Sequence, residues 1–442
     1  MYDPRASDPL RARGGTHNPQ RSNDRQPHNS TRRPAGRRTR THLKIATLNM
    51  RGYGEGRNNA PPDKWLCINQ VVRDGKIAIM ALQESHLTPE RRDNLNNLFG
   101  ATLHVLASYD PTNARGARGV AFALNKRLVN VETATLKEIE AGRAAILTLP
   151  WTHGRTLNIM NIYAPNEAGE NQAFWERRTA ELVQHQYTSP DILLGDFNIV
   201  EEAIDRLPPR QDPPEAVAHL RKFRETAGLT DGWRRREPTT RMFTYLQAST
   251  GSQSRIDRIY VSRRIMQDAN EWEACGPGLP TDHRMVTAEI VNLETPYMGK
   301  GRWAMPQSLL TDKKFLDKLH EEGMKLAANL ELCNTREAAG TPQKLFALFK
   351  TELSKIGRQR AKQTVPRLDR QISSLRTDLA ASLNDDERPD VAMHAAVLQD
   401  RLTKLEIRRF GQKRRAVATN DWAKGETICR YWTKLNAAPM PS

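Results

Sequence analysis

The chain has 442 residues, 38% of them hydrophobic, and a formal net charge of +17 at pH 7, with a pI of about 9.9 and a mean hydropathy of −0.69. Such a length exceeds one typical domain, and such a charge calls for a polyanionic partner, either nucleic acid or an anionic membrane surface. No apolar run nears the ~20 residues of a membrane span and no signal peptide opens the sequence, while four scattered cysteines without a CxxC pair give no zinc signature and suit a reducing compartment.

Residues 1–42 carry few apolar side chains, too few to offset the entropy of ordering, and are expected to form a disordered basic arm. Arg32-Arg33-Pro34-Ala35-Gly36-Arg37-Arg38-Thr39-Arg40 suits a nuclear localisation signal or a nucleic-acid-binding arm, and equally a plain solvated tail. Alternation from Leu43 predicts a strand that ends at Asn49, followed by an amphipathic helix over 63–74 with Trp65, Ile68 and Val72 on one face. A second buried strand, from Ile77, ends on Glu84, and a strand terminus in a core is a poor place for an unpaired carboxylate. Further strands are expected at 119–124, 144–149 and 157–166, the last ending with Tyr163 and Asn166 around Pro165, and a helix at 173–184.

Ile192, Leu193 and Leu194, closed by Gly195, read as a buried strand. Asp196 and Asn198 stand two residues apart at its end, a spacing that in extended backbone points both to one face. Alone, the pair is as well explained by an Asx turn. A helix is expected at 215–226, a strand at 243–245, a strand at 254–262 containing Asp257 between Arg255 and Arg258, then Asp282 and His283 before a closing strand at 285–291. More strands than helices with short connections suggests two packed sheets with helices outside.

From residue 292 the pattern becomes helical and basic. Leu368, Ile372, Leu375, Leu379 and Leu383, then Leu398, Leu402 and Leu405, recur at three- and four-residue steps on either side of a break at 384–389. They predict an antiparallel helical hairpin, structural in role rather than catalytic.

Asn49, Glu84, Tyr163, Asp196, Asn198, Asp257, Asp282 and His283 together would make a poor core and a good site for a divalent cation and a phosphodiester. The ordered strings LNMRG, LQESH, NIYAPN, GDFN, SRIDRIY and TDH, spread over 43–291, resemble the endonuclease/exonuclease/phosphatase superfamily. The resemblance implies an α+β fold, a four-layer αββα sandwich of the deoxyribonuclease I type, here followed by an all-α extension over 292–442. It further implies Mg²⁺, or Mn²⁺ in its place, on Glu84 with help from Asn49 and Asp282. Asp196 would position or deprotonate the water, Asn198 and Tyr163 would contact the scissile phosphate, and His283, oriented by Asp257, would stabilise developing charge. Arg118, Asn166 and Arg255 are expected to contact substrate.

Arg302-Trp303, the 309–315 segment and the stretch from Gly425 to Trp432 resemble what lies between endonuclease and reverse transcriptase in non-LTR retrotransposon polyproteins. No Tyr-x-Asp-Asp string or zinc knuckle is present, so the chain resembles an amino-terminal portion of such a polyprotein. The expected partner is DNA, with RNA second, and no membrane or obligate protein partner; the expected compartment is the nucleus. The competing readings are a host apurinic endonuclease and a catalytically dead nucleic-acid-binding module. A phosphoinositide phosphatase or sphingomyelinase is disfavoured by the lack of a membrane anchor.

Overall fold

The computed structural model describes residues 42–54, 63–151, 154–291, 305, 309–310, 312–332, 341–364, 366–385 and 390–425. The basic arm, Arg302-Trp303, Cys333, Cys429 and the stretch beyond Gly425 lie outside them.

β1 (His42–Asn49) alternates, with Leu43 and Ile45 on one face and Ala46 and Leu48 on the other. α1 (Asp63–Asp74) buries Trp65, Ile68, Val71 and Val72 and leads to β2 (Ile77–Gln83). α2 (Pro89–Leu98), started by a Thr88 side-chain cap on the Arg91 amide, precedes β3 (Leu103–Ser108) and β4 (Val120–Asn125). β5 (Thr135–Glu140), β6 (Ala144–Pro150) and β7 (Thr156–Tyr163) form a meander. α3 (Ala168–Val183) then crosses to β8 (Ile192–Asp196).

Short pieces follow: β9 (Arg206–Leu207), α4 (Pro214–Thr226), β10 (Leu229–Asp231), α5 (Gly232–Arg236), β11 (Tyr245–Leu246) and β12 (Gln253–Ser254). β13 (Asp257–Ser262), α6 (Arg263–Met266), β14 (Ala269–Cys275) and β15 (Met285–Val291) complete the sheets. Four helices close the described chain: α7 (Lys313–Glu331), α8 (Pro342–Thr364), α9 (Pro366–Leu383) and α10 (Val391–Gly425).

Two six-stranded sheets result, ordered β14-β15-β1-β2-β4-β3 and β10-β13-β8-β7-β6-β5. Each has one parallel pair at its centre, β1 with β2 and β7 with β8, joined by α1 and α3 respectively; the other pairings are antiparallel. Period-2 alternation supplies both faces of each sheet: Ile192 and Leu194 of β8 enter the core between the sheets, while Leu193 packs outward with Phe174, Trp175, Leu220 and Phe223 of α3 and α4. α1 and α2 cover the other sheet in the same way. The order is helix, sheet, sheet, helix, the four-layer αββα sandwich that the family resemblance implied.

Within the apolar layer between the sheets, a small polar cluster is admitted because it is satisfied. Gln83 donates to Asn161 Oδ1 at 2.6 Å, and Asn161 donates to the Leu82 and Ala121 carbonyls at 3.1 and 2.9 Å. This stitch lies one residue below Glu84 and two below Tyr163, and it fixes one sheet against the other directly beneath the site.

The sequence did not announce α2, β3, β5 or β14. β5, Thr-Leu-Lys-Glu-Ile-Glu, is an exposed edge without a buried residue, and its polar positions hide the strand. The strand expected over 254–262 is two pieces. The Arg255 amide bonds to the Asp205 carbonyl and the Ile256 carbonyl accepts from the Phe197 amide, so β13 begins at Asp257. Likewise β11 begins only at Tyr245, leaving Phe243 to pack under the helical hairpin.

Candidate active site

Parallel pairs deliver their carboxyl ends to the same edge, and in both sheets that edge carries polar residues. In one sheet Asn49 pairs with Gln83, the neighbour of Glu84. In the other, Tyr163, Asp196 and Asp257 stand abreast across β7, β8 and β13. Gly195 permits that row: its φ is +144°, and a Cβ there would overlap the Ile162 backbone of β7. Glu84 (φ +48°) and Asn198 (φ +55°) hold left-handed backbone, as do Arg51 and Arg118. Such conformations are uncommon for side chains with a Cβ and gather where geometry matters more than local comfort.

Asn49 ties the two sheets together at this edge. Its Nδ2 donates to Glu84 Oε1 at 2.9 Å and to Asp196 Oδ2 at 3.0 Å. Its Oδ1 accepts from the Arg51 amide, and its carbonyl accepts from Thr281 Oγ1, which anchors the loop bearing Asp282 and His283. The Tyr163 hydroxyl bonds to Glu84, and burial, with the nearby Glu84 and Asp196 charges, pushes its pKa well above the ordinary phenol value. Asp196 Oδ1 accepts the Asn198 amide, and Asn198 Nδ2 donates to the Ala164 carbonyl.

His283 Nδ1 and Asp257 Oδ2 are 2.8 Å apart, and Thr244 Oγ1 donates to the same Asp257 oxygen at 2.7 Å. His283 Nε2 thereby faces Asp196 Oδ2 at 4.0 Å. Burial alone would favour neutral imidazole, yet the charge and hydrogen bond of Asp257 outweigh it and raise His283 to about 9. Asp196 is pushed up to about 7, chiefly by burial and then by the Asp257 charge, with His283 acting in the opposite sense. A carboxylate near neutrality beside an imidazolium is suited to moving a proton from water to a leaving group.

These groups open onto a cleft of about 280 Å³ whose walls include Glu84, Asp196, Asp282, Asn166, Asn198 and His283, with Arg51 and Arg206 among its cations. The carboxylates of Glu84, Asp196 and Asp282 offer the hard oxygen donors that a Mg²⁺ or Mn²⁺ ion takes, with Asn49 beside them. The alternative cluster of Asp196, Asp257 and His283, whose ligand atoms lie within 4.8 Å of one another, is the poorer fit. There His283 Nδ1 and Asp257 Oδ2 are already engaged with each other, and an ion would have to break that bond.

The Endonuclease/Exonuclease/phosphatase family matches residues 46–283 of this sequence. The chain belongs to that family. That family, as its name says, groups endonucleases, exonucleases and phosphatases, enzymes that hydrolyse phosphoesters. The chain is also 30% identical over 282 residues to the "Transposon TX1 uncharacterized 149 kDa protein" of Xenopus laevis, an alignment covering 63% of this chain and 20% of that one. It therefore spans about a fifth of the length of that relative. Similar solved structures include an AP endonuclease from Archaeoglobus fulgidus (20% identity, 56% of this chain and 99% of that one, TM-score 0.44). Another is the endonuclease domain of TRAS1, a telomere-specific non-LTR retrotransposon (13% identity, 57% of this chain and 100% of that one, TM-score 0.40).

In this family member the edge brings together Asn49, Glu84, Tyr163, Asp196, Asn198, Asp257, Asp282 and His283, and Asn166 lines the same cleft. Arg118 stands apart from the cleft lining, half exposed, with its Nε 3.4 Å from Asp110 Oδ2. Arg255 stands outside that cleft: it is 2% exposed and its guanidinium pairs with both Asp205 and Asp231 at 2.7–2.8 Å.

Sequence reasoning passed over Thr244, which holds Asp257, and Tyr245, whose ring lies 4.9 Å from that of His283. It also passed over Arg51, which reaches Asp282 at 3.0 Å, and Lys64, which donates to the Met50 and Arg51 carbonyls. Arg51 sits inside the LNMRG string and could have been found there. Thr244 gives no signal, because its partner is 13 residues away across an irregular hairpin.

Proposed function

We propose that this chain is the endonuclease portion of a non-LTR retrotransposon polyprotein, nicking duplex DNA by divalent-metal-dependent hydrolysis in the nucleus. The observation that carries the hydrolytic reading is Asn49, one amide bonded to a carboxylate from each sheet, opposite an imidazolium held by Asp257. The retroelement reading is supported by the transposon protein, whose alignment extends over more residues than the family match does. The net charge of +17 suits a polyanionic substrate.

In this mechanism Asp196 orients the attacking water and takes its proton. Asn198 and Tyr163 hold the non-bridging oxygens, and His283 meets the charge that grows on the phosphoryl group. Glu84, with Asp196, Asp282 and Asn49 around it, would hold Mg²⁺, which supplies charge neutralisation and lowers the pKa of a bound water. Cleavage leaves a 3′-hydroxyl able to prime DNA synthesis.

The test is nicking of supercoiled plasmid with and without Mg²⁺, with the ends mapped. Glu84→Gln should keep DNA binding and lose nicking. Wild-type turnover in that variant would remove Glu84 from the metal site. Matched duplexes with and without one abasic site separate target nicking from repair, since an extruded baseless sugar is cheapest to rotate out. Strong preference for the abasic duplex with intact plasmid left closed would replace the retroelement reading with a repair endonuclease.

A further inference from the structure

Helices α9 and α10 pack against each other through Leu379, Leu383, Leu398 and Leu402, and the same cluster takes in Leu207 and Phe243 from the sandwich. Those two residues matter by position. Leu207 belongs to β9 and Phe243 immediately precedes Thr244, so the hairpin rests on the small β11-β12-β9 sheet that carries the Asp257 anchor and the Tyr245 ring. Arg241, just ahead, donates from its backbone amide to Asn384 Oδ1 at 3.2 Å and from Nη1 to the Leu383 carbonyl at 3.0 Å.

The hairpin also reaches the second segment of the site. Arg284, next to His283, donates through Nη1 to Gln399 Oε1 at 2.7 Å and through Nη2 to the Ala274 carbonyl at 2.8 Å. Its backbone amide donates to the Thr244 carbonyl at 2.6 Å, and the Leu246 amide to the Asp282 carbonyl at 3.2 Å, so the two catalytic segments are joined to each other as well. The loop leading to Asp282 is shaped to receive α10: a Cβ at Gly276 would overlap the Glu406 carboxylate, and one at Gly278 (φ +70°) would overlap the Phe410 ring. Glu406 is held in turn by Arg376 of α9, which also reaches Glu273 of β14.

From these contacts we infer that the α9–α10 hairpin is a working part of the nuclease, with Gln399 a positioning residue that acts through Arg284 on the His283 segment. The inference rests on the hydrolytic reading of the site given above. A bundle that only linked domains would have no need of a glycine-relieved loop, nor of a buried amide aimed at the residue beside the catalytic imidazole. Gln399 touches no reacting atom; its role is to keep His283 and the Thr244–Asp257 pair in one registration.

The test uses the full chain and three variants. Gln399→Leu removes the acceptor at similar volume, Gln399→Glu retains it, and His283→Ala provides a background in which positioning of the imidazole no longer matters. Gln399→Leu should lower kcat for plasmid nicking by about tenfold to a hundredfold with KM unchanged, the range expected when a catalytic group is misplaced by about an ångström. Gln399→Glu should recover most of that rate, and Gln399→Leu added to His283→Ala should cost nothing more. Equal losses in both backgrounds, or a wild-type kcat in Gln399→Leu, would overturn the assignment.

Hydrogen exchange supplies a readout independent of turnover. The Arg284 and Leu246 amides should exchange about tenfold faster or more in Gln399→Leu while the β8 amides hold their protection. If the wild-type chain nicks no DNA, the functional reading fails by itself, and unchanged exchange at Arg284 and Leu246 would then overturn the positioning role.

Discussion

At the scale of single residues, the site depends on two neighbours kept in opposite protonation states. In the proposed mechanism Asp196 works ionised, so activity should rise through about pH 7, and His283 works protonated, so activity should fall through about pH 9. The expected profile is a bell whose limbs belong to the coupled network. His283→Asn should lose the alkaline limb and about a hundredfold to a thousandfold in kcat. A profile that keeps its alkaline limb in that variant would assign the limb elsewhere. The same imidazole gives a stability signature. Its folded pKa is raised, so the Asp257–His283 contribution is full below the ordinary histidine pKa and is lost as pH climbs through about 9. Chemical denaturation of wild type and Asp257→Asn at pH 6 and pH 10 should show a gap that narrows at the higher pH.

At the scale of elements, the decisive contact is the close approach of β8 to β7 that sets Tyr163 beside Asp196. Gly195→Ala would drive a methyl into the Ile162 backbone and should cost about 1–3 kcal/mol or more, read as a lowered denaturant midpoint. Gly323→Ala in α7, where a Cβ meets nothing within 4 Å, should instead stabilise by up to about 1 kcal/mol. Equal midpoints for the two variants would contradict the packing account of β7 and β8. The GDFN string thus sets one glycine for strand approach beside two polar side chains that face the cleft.

At the scale of the whole molecule, the charge of +17 sits on a chain whose site is itself acidic, with Glu84, Asp196 and Asp282 facing one cleft. On the proposed reading, most affinity for DNA comes from Lys and Arg outside that cleft, by release of counterions from the phosphates. Deleting residues 1–41 should weaken binding and flatten the slope of log K against log salt by roughly 0.9 for each phosphate that the arm neutralises. Filter-binding or polarisation titrations over a salt series check this, and an unchanged slope would leave the arm without a binding role. Among the described residues no helix is long and apolar enough to cross a membrane.

What the sequence determined by itself was whatever is local. Period-2 alternation marked β1, apolar runs marked β2 and β8, helical spacing marked α1 (63–74, as expected) and the α9–α10 hairpin, and Asn49, Glu84 and Asp196 were found because each closes a strand. Exposed or irregular elements such as β5 and β11 escaped, since neither burial nor alternation marks them. Only the tertiary structure decided which polar residues meet. Asn49 and Asp196 lie 147 positions apart, His283 and Asp257 lie 26 apart, and Arg255, two residues from Asp257, is turned into a buried ion pair instead. Nor could spacing show that Gln399 would lie against Arg284, 115 residues earlier. The physical reason is the same throughout: alternation and propensity act within a few residues, whereas a shared edge between two sheets is set by strand order and by the packing of one apolar layer on another.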